Sequence, residues 1–167
     1  MNRPERLYTG PAVPATYDPT WQGYTNLTPA QIAAFQAMPQ DLIKYAGQRR
    51  WQKEIGSTVQ GVSYLSQSYI TVGGIQVTTN DGDLIRLLGL NEWAKANPNG
   101  TTSFTDNGVA VSITAAQAAA LFAAVMAFIQ ACRQAEATLI AGINATPPTV
   151  TSRAQVDAAF AAIPTTY

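Results

Sequence analysis

Few residues in this chain have the type and spacing to do chemistry. Asn80, Asp81 and Asp83 could offer oxygen ligands to a hard cation. A calcium loop of the EF-hand kind needs a longer ligand series closed by a bidentate Glu, and none follows at that spacing. Capping of the next helix explains the cluster. Arg49, Arg50 and Lys53, with Trp51 among them, form a basic cluster that could grip a phosphate. Glu54 lies beside them, and basic residues near a helix C-terminus are favoured by the macrodipole in any case. Trp51 reads as a core anchor where that helix meets a sheet. Any two of the ten acidic residues could pair as in a glycoside hydrolase, but nothing in the spacing selects a pair. Cys132 is the single cysteine and there is no histidine. A Ser-His triad, a Cys-His pair and an imidazole metal ligand are therefore excluded, as are an internal disulfide and a thiolate zinc site. No catalytic residue, metal site or cofactor is expected.

Charge narrows the partners. Ten basic residues balance ten acidic ones in 167, and only 12% of the chain is charged, about half the usual share. Such a chain has no electrostatic footprint for nucleic acid or an anionic membrane. Its surface must be built from Thr, Ser, Gln, Asn and Ala, which suits a protein packed against neighbours. The opening residues MNRPERLYTGP carry no apolar signal region, so folding in a cytoplasm is expected.

Residues 1–26 read as an extended arm. Pro4, Pro11, Pro14 and Pro19 oppose regular structure. Tyr8, Tyr17, Trp21 and Tyr24 recur along it, as suits an arm whose aromatics dock on a partner. Thr28, Pro29 and Gln31 spell a helix start with a capping box, and a short helix over 27–39 stops near Met38-Pro39. A second helix runs from Asp41 to Gly56. On it Leu42, Tyr45, Arg49 and Gln52 share one face, and Ile43, Gly47, Arg50 and Glu54 another. Residues 57–80 are rich in β-formers, with Gly73-Gly74 as a hairpin turn. A helix over LIRLLGLNEWAKAN follows, then a second β pair, TTSF and VAVSI, turned at Asp106-Asn107-Gly108.

Thr114 and Gln117 repeat the capping box and open a long alanine-rich helix that Gly142 and Asn144 end. From Asn107 to Cys132 no residue is charged. A membrane span needs about 20 apolar residues. This stretch is mostly alanine, holds Gln117 and Gln130, and lacks flanking basic clusters and aromatic belts, so a membrane span is not expected. Leu121, Val125, Phe128, Cys132, Ala135 and Leu139 follow a 4-3-4-3-4 spacing, a heptad seam. That seam serves either the chain's own core or contact between copies. Ser152 and Gln155 form a third capping box, before a last short helix in a C-terminal segment over 146–167.

The fold expected is α+β: small antiparallel hairpins packed on the long central helix and shorter helices, behind the extended arm. The order of its parts resembles a domain of phage and prophage tail-fibre-type proteins that has no assigned activity. The residues that carry the resemblance are Gln48-Arg49-Arg50-Trp51 through Gly56, GIQVTTND (74–81), DLIRLLGLNEWAKANP (83–98), FTDNGVAVSI (104–113) and the helix 114–143. It spans about residues 42–144, and the domain itself is expected over 40–145. The pattern departs at Phe104-Thr105, where the family often has Trp-Lys, and at Phe128, where it often has His. It departs again at Gly82-Asp83, which replaces Ser-Gln. The resemblance implies a non-enzymatic virion component of a bacteriophage tail, associated with the fibre or baseplate. Its implied partners are other tail proteins and further copies of itself, with a trimer as the fibre-like case. The alternative implied is a tail-fibre assembly chaperone absent from the mature particle.

Overall fold

The computed structural model describes residues 28–55, 69–79, 81–106 and 109–167. Among the described residues, five helices and two hairpins follow in the order α1 (Pro29–Gln36), α2 (Pro39–Ile55), β1 (Tyr69–Val72), β2 (Ile75–Thr78), α3 (Asp81–Ala96), β3 (Thr101–Asp106), β4 (Val109–Thr114), α4 (Ala115–Asn144) and α5 (Arg153–Ala161). The fold is α+β, with the 30-residue α4 at its centre. The arm residues Tyr8, Tyr17, Trp21 and Tyr24 lie outside the described residues, as does the β-rich stretch 56–68.

The helix starts form as their spacing dictates. Thr28, Thr114 and Ser152 each accept from the backbone N–H of the glutamine three residues on, and each glutamine side chain returns to the cap backbone. Two otherwise orphaned N–H groups are satisfied at each start. Pro39 ends α1 and also opens α2, where its missing N–H costs nothing. The second helix therefore begins two residues earlier than its acidic Asp41 suggests.

Gly73 and Gly74 both take positive φ, 55° and 87°. That is what a two-residue turn between right-twisted strands requires. β1 and β2 pair antiparallel with Val72 opposite Ile75. β3 and β4 also pair antiparallel, from Thr101 opposite Thr114 to Asp106 opposite Val109. The two hairpins form separate sheets.

α4 lies against α2 and α3 along its length, and against α5, β1 and β4. Leu121, Val125, Phe128, Cys132 and Leu139 are all buried, in one cluster with Leu42, Ala46, Ile70, Val77, Leu87, Val156 and Phe160. The heptad seam is thus the floor of the chain's own core, and its residues are not on offer to another copy. α4 is long and apolar enough to cross a membrane, but here its apolar face is spent on α2, α3 and α5. The expected boundary at residue 145 does not divide the packing. α5 closes the same core through Val156 and Phe160, so the segment 146–167 is part of the domain.

Candidate functional site

Most of the charge in the helices is gathered where α2 meets α4 and α5. The two faces read on α2 turn out to address two partners. Gly47, Arg50 and Glu54 face α4. A Cβ on Gly47 would stand 3.3 Å from Glu136 Oε1, which fits close approach of the two helices. Arg50 bridges both carboxylates, with Nη1 2.5 Å from Glu54 Oε2 and Nε 2.7 Å from Glu136 Oε2. Arg133 of α4 donates to Glu54 Oε1 at 3.3 Å. The Glu54 residue is only 4% exposed, and its carboxylate is held by two guanidinium groups. A carboxylate so enclosed is tolerable only when paired in this way. Thr79 adds a hydrogen bond from Oγ1 to the Glu54 carbonyl, tying the end of the first hairpin to α2.

Tyr45 and Arg49 face α5. Tyr45 donates to Asp157 Oδ1 at 2.8 Å. Arg49 Nε sits 2.7 Å from the same oxygen, off the line of its N–H, while Arg49 Nη1 donates to Gln52 at 2.6 Å. Arg153 of α5 spans back to α2, donating to Asp41 Oδ2 at 2.6 Å and lying 4.6 Å from the Tyr45 ring centroid. Burial, then the hydrogen bond to Asp157 and its charge, push the Tyr45 phenol above its ordinary pKa. Four arginines and four carboxylates, all paired, make this a clamp between helices.

The candidates read from sequence fare as follows. Arg49 and Arg50 are committed to carboxylates, so the basic cluster does not assemble into a phosphate grip. Trp51 is not a core anchor. It is 46% exposed, with the Arg50 guanidinium 5.2 Å from its centroid. The reason is angular: nine residues separate it from Leu42, and at about 100° per residue that places it on the opposite side of α2. Asp83 accepts from Thr78 Oγ1 and pairs with Arg86 at 3.2 Å, consistent with a helix-start role. Asn80 lies outside the described residues. No group of three or more His, Cys, Asp or Glu that could hold a metal occurs among the described residues. Burial first, and then the charge of Glu54, raise the Cys132 thiol from 9.0 to about 11. This is the reverse of a reactive thiolate.

Sequence reasoning missed the α2–α5 clamp of Tyr45, Asp41, Arg153 and Asp157. Its members lie 112 residues apart, and no local spacing could have paired them. It also missed an apolar face on α3. Ile85 is 72% exposed and Leu88 49% exposed. At three residues apart they are neighbours on one side of the helix, facing away from Leu87, which is buried.

What defines this molecule is therefore an α+β scaffold with an interlocked helical core. The chain belongs to the family described as domain of unknown function (DUF4376), whose sequence profile matches residues 37–163. The match takes in α5, in keeping with the single core. No curated protein and no solved structure matches the chain.

Proposed function

We propose that this protein is a non-enzymatic structural component of a bacteriophage tail, associated with the fibre or baseplate, and that it works by protein–protein assembly. The observation that carries the assembly part is the exposed Ile85–Leu88 face on α3, because apolar side chains grouped on a surface mark contact sites. The paired state of the clamp arginines and carboxylates supports it, since the residues best suited to chemistry are used to hold helices together. The tail assignment rests on an order of motifs, from Gln48-Arg49-Arg50-Trp51 to the helix at 114–143, that resembles tail-fibre-type proteins. On this reading the aromatic arm docks on neighbouring tail subunits.

Quantitative mass spectrometry of purified particles tests the reading. A fixed ratio of this chain to a known tail subunit is the expected result, and the ratio gives the copy number. Detection only in the lysate of infected cells would replace it with an assembly chaperone that leaves before the particle matures.

A further inference from the structure

The outer edge of β1 is covered by the chain's own residues 165–167. Within the first hairpin Thr71 lies opposite Gln76, yet its backbone polar groups point the other way. Thr71 N donates to the Thr165 carbonyl at 2.8 Å, and Tyr167 N donates to the Thr71 carbonyl at 2.8 Å. Gly73 N donates to the Tyr167 carbonyl at 3.2 Å. The pairing is parallel, with Thr71 against Thr166. An antiparallel hairpin has thereby gained a short third strand that runs parallel to β1.

Of the strap's side chains, Pro164, Thr165 and Thr166 are exposed, whereas Tyr167 keeps only 39% of its surface. Its attachment rests on three main-chain bonds, of a kind that any extended segment can make, and on the packing of Tyr167. A sheet edge is a template for another chain unless something covers it, and here the cover hangs by three residues, 162–164, from the end of α5.

We propose that the edge from Thr71 to Gly73 is a strand-receiving edge, closed in cis by residues 165–167 and open to the same segment of a second copy in trans. The cis arrangement shows which strand fits and in which direction. An exchange between copies keeps every main-chain bond, which is why swapped segments are a low-cost route to association. This goes beyond the assembly reading and does not depend on the tail assignment.

The experiment is a titration of the isotope-labelled full chain with the peptide AAIPTTY, residues 161–167, followed by backbone amide shifts. A short tether holds the strap at an effective concentration of roughly millimolar. The peptide should therefore compete in that range, moving the amide of the displaced Tyr167 while Thr71 and Gly73, offered the same partners, change little. Two changes should each raise the midpoint at least about tenfold: N-methylation of the peptide's tyrosine nitrogen and, in a chain ending at Ile163 where no strap competes, Thr71→Pro in the protein. The proline removes the donor to Thr165 without touching the β1–β2 ladder. A chain ending at Ile163 should bind the peptide at least about tenfold more tightly than the full chain. If that shorter chain fails to fold, hydrogen exchange on the full chain decides. Exchange at Thr71 and Tyr167 about 100-fold faster than at Val77 supports a strap that releases; exchange only with global unfolding overturns it. The full chain should also form a concentration-dependent dimer that excess peptide dissociates, and a chain that stays monomeric up to millimolar concentration overturns the second-copy occupant. No peptide shift, or shifts that survive both changes, overturns the edge itself.

Discussion

Phe128 has no exposed surface and sits in the middle of α4, where α2 and α3 both pack. Truncation there removes a large apolar group from a site bounded by helices that cannot easily close in. Phe128→Ala should cost about 3–5 kcal/mol in denaturant unfolding; a change near zero would mean that the seam is not packed as described. Four residues on, Cys132 sets a pH dependence. Its thiol is raised in the folded state, from 9.0 to about 11, so between those values the folded chain holds a proton that the unfolded chain has released. Stability from this group is complete below about pH 9 and lost as pH rises through about 11. Tyr45, also raised, acts in the same direction at the alkaline end. The melting temperature should fall across this window, and Cys132→Ala should flatten the fall. Native Cys132 should also resist alkylation at pH 8 until the chain is unfolded.

At the scale of elements, the ends of α4 are held by different means. Its start relies on Thr114, whose Oγ1 accepts from Gln117 N at 3.2 Å while Gln117 Oε1 accepts from Thr114 N at 2.8 Å. Thr114→Ala should cost about 1 kcal/mol by thermal or denaturant unfolding, with the fold retained. Its last turn relies on close approach. The Gly142 carbonyl accepts from Thr149 N at 3.0 Å, and a Cβ at Gly142 would lie 2.7 Å from Val150 Cγ2 and 2.9 Å from Thr149 Oγ1. The sequence names Gly142 and Asn144 as the helix stop, and α4 does end at Asn144, with Gly142 inside its last turn. The glycine is there so that the chain leading to α5 can fold back over the helix. Gly142→Ala should therefore destabilise by about 1–3 kcal/mol through overpacking, although alanine normally favours a helix interior. A stabilised variant would show that the returning chain does not press on this turn.

For the whole molecule, the packed core and the exposed apolar side chains of α3 lie on different surfaces. The core faces inward among α2, α4 and α5 and the clamp spans their seams, whereas Ile85 and Leu88 of α3 face out. Replacing both with aspartate should leave stability within about 0.5 kcal/mol of the unaltered chain in denaturant unfolding, while, on the proposed tail reading, sharply lowering incorporation into particles. A large loss of stability would instead place the two residues in the fold's own interior.

How much of this was legible in advance follows the range of the interactions. The three capping boxes, the Gly73-Gly74 turn and the seam of α4 depend on residues two to seven positions apart, and backbone geometry fixes such neighbours before any tertiary contact forms. The two faces of α2 were legible for the same reason; which helix each would meet was not. Only the tertiary structure decided that Arg50 would bridge Glu54 and Glu136, and that Arg153 would reach Asp41 from α5. It also decided that Trp51 would stand in solvent and that residues 165–167 would lie along β1. Spacing says what shares a face. Burial, and the pairing that burial forces on charge and backbone, depend on what the rest of the chain brings against it.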